Sequence, residues 1–94
     1  MWADDFIGNL PDEERAEVDA VLEDLAVHGL DAPLVSLRQV RGKLWEIRFT
    51  RARIFYTMAE EGTMVLLHAY KKQSRKAPPH EIDTALKRMR QLAE

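Results

Sequence analysis

The chain has no cysteine among its 94 residues, so it can build neither a disulfide framework nor a thiolate-held metal centre. It has no apolar run approaching the roughly 20 residues that cross a bilayer as a helix. Its four glycines form no phosphate-cradling loop. His28, His68 and His80 stand far apart, and the segment HEIDT has Thr84 where a zinc helix would place its second histidine. Ser36 and Ser74 lie in no nucleophile-elbow pattern. The opening MWADDFIGNL carries two acids where a signal peptide would carry bases. These absences lead to the expectation of one soluble, cytoplasmic domain over residues 1–94, without metal, cofactor or membrane contact.

Acidic residues are scarce where basic ones are dense. Residues 1–35 hold ten acids and one base, a balance of −9, whereas residues 36–76 hold ten bases and three acids, a balance of +7. The formal net charge of −2 conceals this split. A basic half of this kind suits a polyanion partner, although two halves that face each other would also neutralise.

The periodicities predict an α+β fold. Trp2, Phe6 and Leu10 recur at spacing four, consistent with a short first helix. Pro11 and the acids Asp12, Glu13 and Glu14 open a second helix over 11–28, whose apolar stripe is Val18, Val21, Leu22, Leu25 and Ala26 and whose end is Gly29. The connector GLDAPLVSLRQVRG becomes extended near residues 34–40. After Gly42 the period is two: Trp45, Ile47 and Phe49 on one side, Leu44, Glu46 and Arg48 on the other. RIFYTMA and MVLLHAY follow as further strands, giving an antiparallel sheet of three to four strands. Pro79 opens a C-terminal helix marked by Ile82, Leu86 and Met89. The expected arrangement has helices covering one face of the sheet.

On that reading Arg48 and Arg53 share the open face, with Lys71 and Lys72 leaving the third strand of the meander nearby. Lysine or arginine on an edge strand guards against sheet-to-sheet pairing, which accounts for one or two of these residues. It accounts poorly for six bases between Arg38 and Arg53 opposed only by Glu46. A polyanion-binding face explains them better. Phe55 and Tyr70 would lie among these cations, either as stacking platforms for bases or as core.

The segments VRGKLWEIRF, ARIFYTM and VLLHAYKKQSRKAPPHEI, in that order, resemble the HigB branch of the RelE/ParE toxin superfamily, phage-derived members included. The similarity runs from about Val40 into the C-terminal helix, with the acidic helix in the matching position. It implies a RelE-like fold and the toxin of a type II toxin–antitoxin system: a metal-independent, ribosome-dependent mRNA endonuclease that inhibits translation. Its partners would be the ribosome, mRNA and a cognate HigA-like antitoxin, a helical DNA-binding protein. Carried over residue by residue, Arg48 matches a strand cation near the attacking sugar and Arg53 the arginine on the scissile phosphate. Lys72, with Lys71 beside it, matches the cation that stabilises the transition state or protonates the leaving oxygen. Arg38, Arg41, Lys43, Arg51, Arg75 and Lys76 would contact RNA. Glu46 stands where some relatives have lysine, and the general base has no match. Two other classes remain open, a ParE-like gyrase inhibitor and a non-catalytic RNA-binding module.

Overall fold

The computed structural model describes residues 2–31 and 35–92. The chain runs through helix α1 (Asp4–Gly8), helix α2 (Asp12–His28), strands β1 (Ser36–Arg41), β2 (Leu44–Arg48), β3 (Ala52–Met58) and β4 (Met64–Lys71), and helix α3 (Pro79–Leu92). The four strands form one antiparallel meander in the order β1-β2-β3-β4. The α+β class, the two N-terminal helices and the C-terminal helix agree with the expectation. The start of the expected first strand, Leu34, lies outside the described residues.

Each boundary has a local cause. Pro11, at φ −55°, precedes α2, whose first turn carries Asp12, Glu13 and Glu14 against the positive end of the helix dipole. Gly29 ends it at φ 62°, and its N–H donates to the Leu25 carbonyl. Gly42 supplies φ 55° in the β1–β2 turn, where Arg41 pairs with Leu44. The β2–β3 turn is closed by the Phe49 N–H, which donates to the Ala52 carbonyl at 3.0 Å.

The helices cover both faces of the sheet, not one. On the first face, Val18 and Leu25 of α2 pack with Ile47, Phe49, Ile54, Tyr56 and Ala69, joined by Phe6 and Ile7 of α1. On the second, Ala85 and Leu86 of α3 pack with Leu44, Phe55, Val65, Leu67 and Tyr70. Strand alternation makes this inevitable, because Ile54 and Tyr56 point one way and Phe55 the other, and all three are fully buried. Each such side chain contributes about 1.5–3 kcal/mol through burial. One helix layer could not have covered both sets.

A bulge distinguishes β4. Phe55 pairs with His68 but Tyr56 pairs with Leu66, so Leu67 has no strand partner. Arg88 of α3 reaches the Leu67 carbonyl with Nη1 at 2.9 Å and so ties α3 to the interrupted ladder.

Candidate nucleic-acid interface

The strand registers assemble two rows of side chains across the second sheet face. One row runs Arg38, Glu46, Phe55, His68; the next runs Ser36, Arg48, Arg53, Tyr70. Arg48 and Arg53 are therefore direct cross-strand partners, as the period-two pattern suggested. Cβ atoms of such a pair stand only about 4.5–5.5 Å apart, where like charges repel.

The repulsion is relieved by turning the two guanidinium groups away from each other. Arg53 folds back over the turn, its Nη1 donating to the carbonyls of Phe49 at 2.6 Å and Ala52 at 2.8 Å. Arg48 leans toward Glu46, its Nε 3.8 Å from Oε1. Arg38 approaches the same oxygen from β1 at 3.5 Å, and its Nε is buried with no hydrogen bond of its own. The Tyr70 hydroxyl donates to the other oxygen, Oε2, at 3.3 Å. Glu46, only 3% exposed, thus sits beneath two guanidinium groups whose side chains are 41% and 43% exposed. Three arginines and one carboxylate in these two rows leave them with an excess of two positive charges.

Tyr70 responds to this setting. Burial, then the charge and hydrogen bond of Glu46, push its hydroxyl up to about 12, with Arg53 pulling in the opposite direction. A second polar group lies beside it. Arg88 Nη1 is 3.3 Å from His68 Nδ1, and since a guanidinium can only donate, Nδ1 accepts and Nε2–H donates to Glu81 Oε1 at 2.7 Å.

The remaining sequence candidates divide by register. Lys71 pairs with Ala52, a residue of the α2-side core, so it belongs to the opposite face from Arg53. The Lys72 N–H donates to the Arg51 carbonyl at 3.1 Å, which places it one step further, in line with Tyr70 and Arg53. Arg51, Lys72, Arg75 and Lys76 are all exposed around this end of the sheet. Arg41 and Lys43 lie at the other end, where they line a groove of about 840 Å³ with Met58, Leu86, Met89 and Arg90. The aromatic platforms are not free: Phe55 is fully buried and Tyr70 nearly so, their ring centroids 5.6 Å apart under α3. The parts unseen in the sequence reading are the Glu46–Tyr70 bond and the Arg88–His68–Glu81 chain. Glu46, the lone acid alternating with Arg48, was the one visible signal.

A comparison with curated proteins finds no match. The model of the family described as phage-derived protein Gp49-like (DUF891) matches residues 5–90, from the first helix to within the last and across every residue of both rows. With that span matched and the helix–helix–meander–helix order in place, this chain belongs to the Gp49-like family of phage-derived proteins, a RelE/HigB-type toxin family.

Proposed function

We propose that the protein is the HigB-like toxin of a type II toxin–antitoxin system and cleaves mRNA on the ribosome. The observation that carries this reading is the Arg48–Arg53 cross-strand pair, set on a sheet face with a net excess of positive charge and continued by Lys72. RNA supplies both parts of such a reaction. The 2′-oxygen attacks the adjacent phosphorus as its proton leaves to a base, the bond to the 5′-oxygen breaks, and that oxygen takes a proton. The products are a 2′,3′-cyclic phosphate and a 5′-hydroxyl. The cations serve the charge that develops on the phosphorane, where preorganised donors have most effect. A planar guanidinium at Arg53 suits a phosphate, and its hydrogen bonds to the turn fix its direction. Glu46 is an unsuitable base because it is buried under Arg38 and Arg48.

The test is cleavage of mRNA on programmed ribosomes, with 5′ ends mapped and ribosome binding measured in parallel. Lys72→Ala, at an exposed position, should lower cleavage by about 10²–10³-fold and leave binding nearly intact. Arg53→Ala should do the same, with a melting control because it also removes two turn hydrogen bonds. Arg75→Ala and Lys76→Ala should instead weaken binding and lower its salt slope by about one each. Equal loss of binding in all four variants would leave a non-catalytic RNA-binding face. Intact mRNA together with inhibited gyrase would leave the ParE-like alternative.

A further inference from the structure

The face contains one strand carboxylate, and its placement is at odds with simple charge neutralisation. An acid that served only to offset positive charge would be as effective on the surface, where it would keep its hydration. Glu46 is instead 3% exposed, in the middle of the sheet, with Arg38 on one neighbouring strand and Phe55 on the other. Burying a carboxylate is costly unless donors surround it. Those present are Arg38 Nε at 3.5 Å, Arg48 Nε at 3.8 Å and the Tyr70 hydroxyl at 3.3 Å, from three different strands.

We infer that Glu46 is a positioning residue, a buried carboxylate that aims the guanidinium groups of Arg38 and Arg48 at an RNA phosphate and sugar. The inference rests on the RNA-cleaving reading for the identity of the anion. Both arginines approach Glu46 through Nε, the atom nearest the chain. Their terminal nitrogens therefore remain available, on side chains 41% and 43% exposed. An arginine drawn to a carboxylate at Nε is a fork with its stem fixed: it presents its free donors in one plane and one direction, which matters for alignment at the reacting phosphate. Without the clamp, Arg48 would face Arg53 directly across the strands and swing outward.

Charge and position can be separated with two substitutions. Glu46→Gln keeps the length and an oxygen to accept from Tyr70, but removes the charge. Glu46→Asp keeps the charge and draws it back by one methylene. A single-stranded oligouridylate serves as the binding probe, programmed ribosomes as the cleavage assay, and exchange of the arginine Nε–H protons in NMR as the measure of the clamp. In the wild type the Nε–H signals of Arg38 and Arg48 should exchange slowly with water, and both variants should speed them.

Glu46→Gln should bind the oligonucleotide at least as tightly and with a steeper salt dependence, since an anion has been removed from the face. Glu46→Asp should bind it as the wild type does. Both should cleave about 10- to 100-fold more slowly, the cost of a small misplacement. Wild-type cleavage in Glu46→Asp, with its Nε–H signals already fast, would overturn the inference. So would loss of oligonucleotide binding in parallel with cleavage in that variant, which would mark Glu46 as a general support of the fold. If the wild type cleaves nothing, the RNA-cleaving reading fails on its own. The clamp is then decided by the Nε–H signals and the salt dependence alone.

Discussion

Tyr70 is the residue in which burial at the centre of the face and contact with Glu46 can be read directly. Its hydroxyl is held at about 12 by burial and by Glu46, and burial also raises Tyr56. For a group that is neutral when protonated, a raised value means that the folded state retains the proton which the unfolded chain gives up near 10. The stabilisation is therefore complete below pH 10 and is lost as the pH climbs from 10 to about 12. Because the sequence has only these two tyrosines, both raised, the folded protein should show much less phenolate absorbance at pH 10 than the unfolded chain. Tyr70→Phe should remove most of the decline in urea stability between pH 10 and 12. An ordinary value for Tyr70 in the folded protein, assigned by comparison with Tyr70→Phe, would contradict the Glu46–Tyr70 geometry. The sequence placed Tyr70 beside the cations but could not show its partner, since a hydroxyl-to-carboxylate contact between β4 and β2 depends on the exact register of two hairpins.

At the scale of elements, period-two alternation assigned Arg48, Arg53 and Phe55 to one face, and the registers agree. The same alternation contained the sign that this face was not open. The sequence IFY in β3 and the nearly unbroken apolar run of β4 are what strands buried on both sides look like. The C-terminal helix had to go to the second face, because the first was filled by α1 and α2. Lys71 illustrates the other limit, since one residue of register sends a side chain through the sheet. The bulge at Leu67 was hidden for the same reason, and Arg88 is its counterpart on α3. Nη1 of Arg88 satisfies the Leu67 carbonyl and its guanidinium lies 5.8 Å from the Trp2 ring centroid. Arg88→Met keeps much of the apolar stem while leaving that carbonyl unpaired, at a cost of about 1–3 kcal/mol. For a domain of this size the melting temperature should fall by roughly 4–8 °C per kcal/mol. The amide protons of β4 around residue 67 should exchange faster in this variant. An unchanged melting temperature would mean that Arg88 does not hold the bulge.

For the whole molecule, the split between an acidic first third and a basic middle becomes a split in space. The acidic residues of α2 lie on the far side of the sheet from the Arg48–Arg53 row, and one of them crosses to the strands at the rim: Glu17 accepts from the Thr50 N–H and hydroxyl, the latter at 2.8 Å. The two halves therefore do not cancel each other. A toxin of this family implies an antitoxin, which has two very different surfaces to choose from. One partner would lay carboxylates over the arginines and be drawn in quickly by their field. The other would grip α2, whose apolar stripe is already turned to the sheet through Val18 and Leu25, leaving exposed Glu13, Asp19 and Glu23 with Val27 as the one large exposed apolar side chain of the helix. Arginines on the partner would suit that surface, and, under the function proposed above, bulk there would keep the toxin from entering the ribosome while its cations stay uncovered. We expect this second arrangement, because the acidic exposed face of α2 matches arginines on a partner and its occupation leaves the Tyr70–Glu46 hydrogen bond and the ion pairs of Arg38 and Arg48 with Glu46 undisturbed. Hydrogen exchange on the complex distinguishes them: amides of residues 12–28 should become protected while those of 46–56 keep their free-state rates. Protection confined to 46–56 and 70–76 would show instead that the antitoxin neutralises the arginine row by covering it.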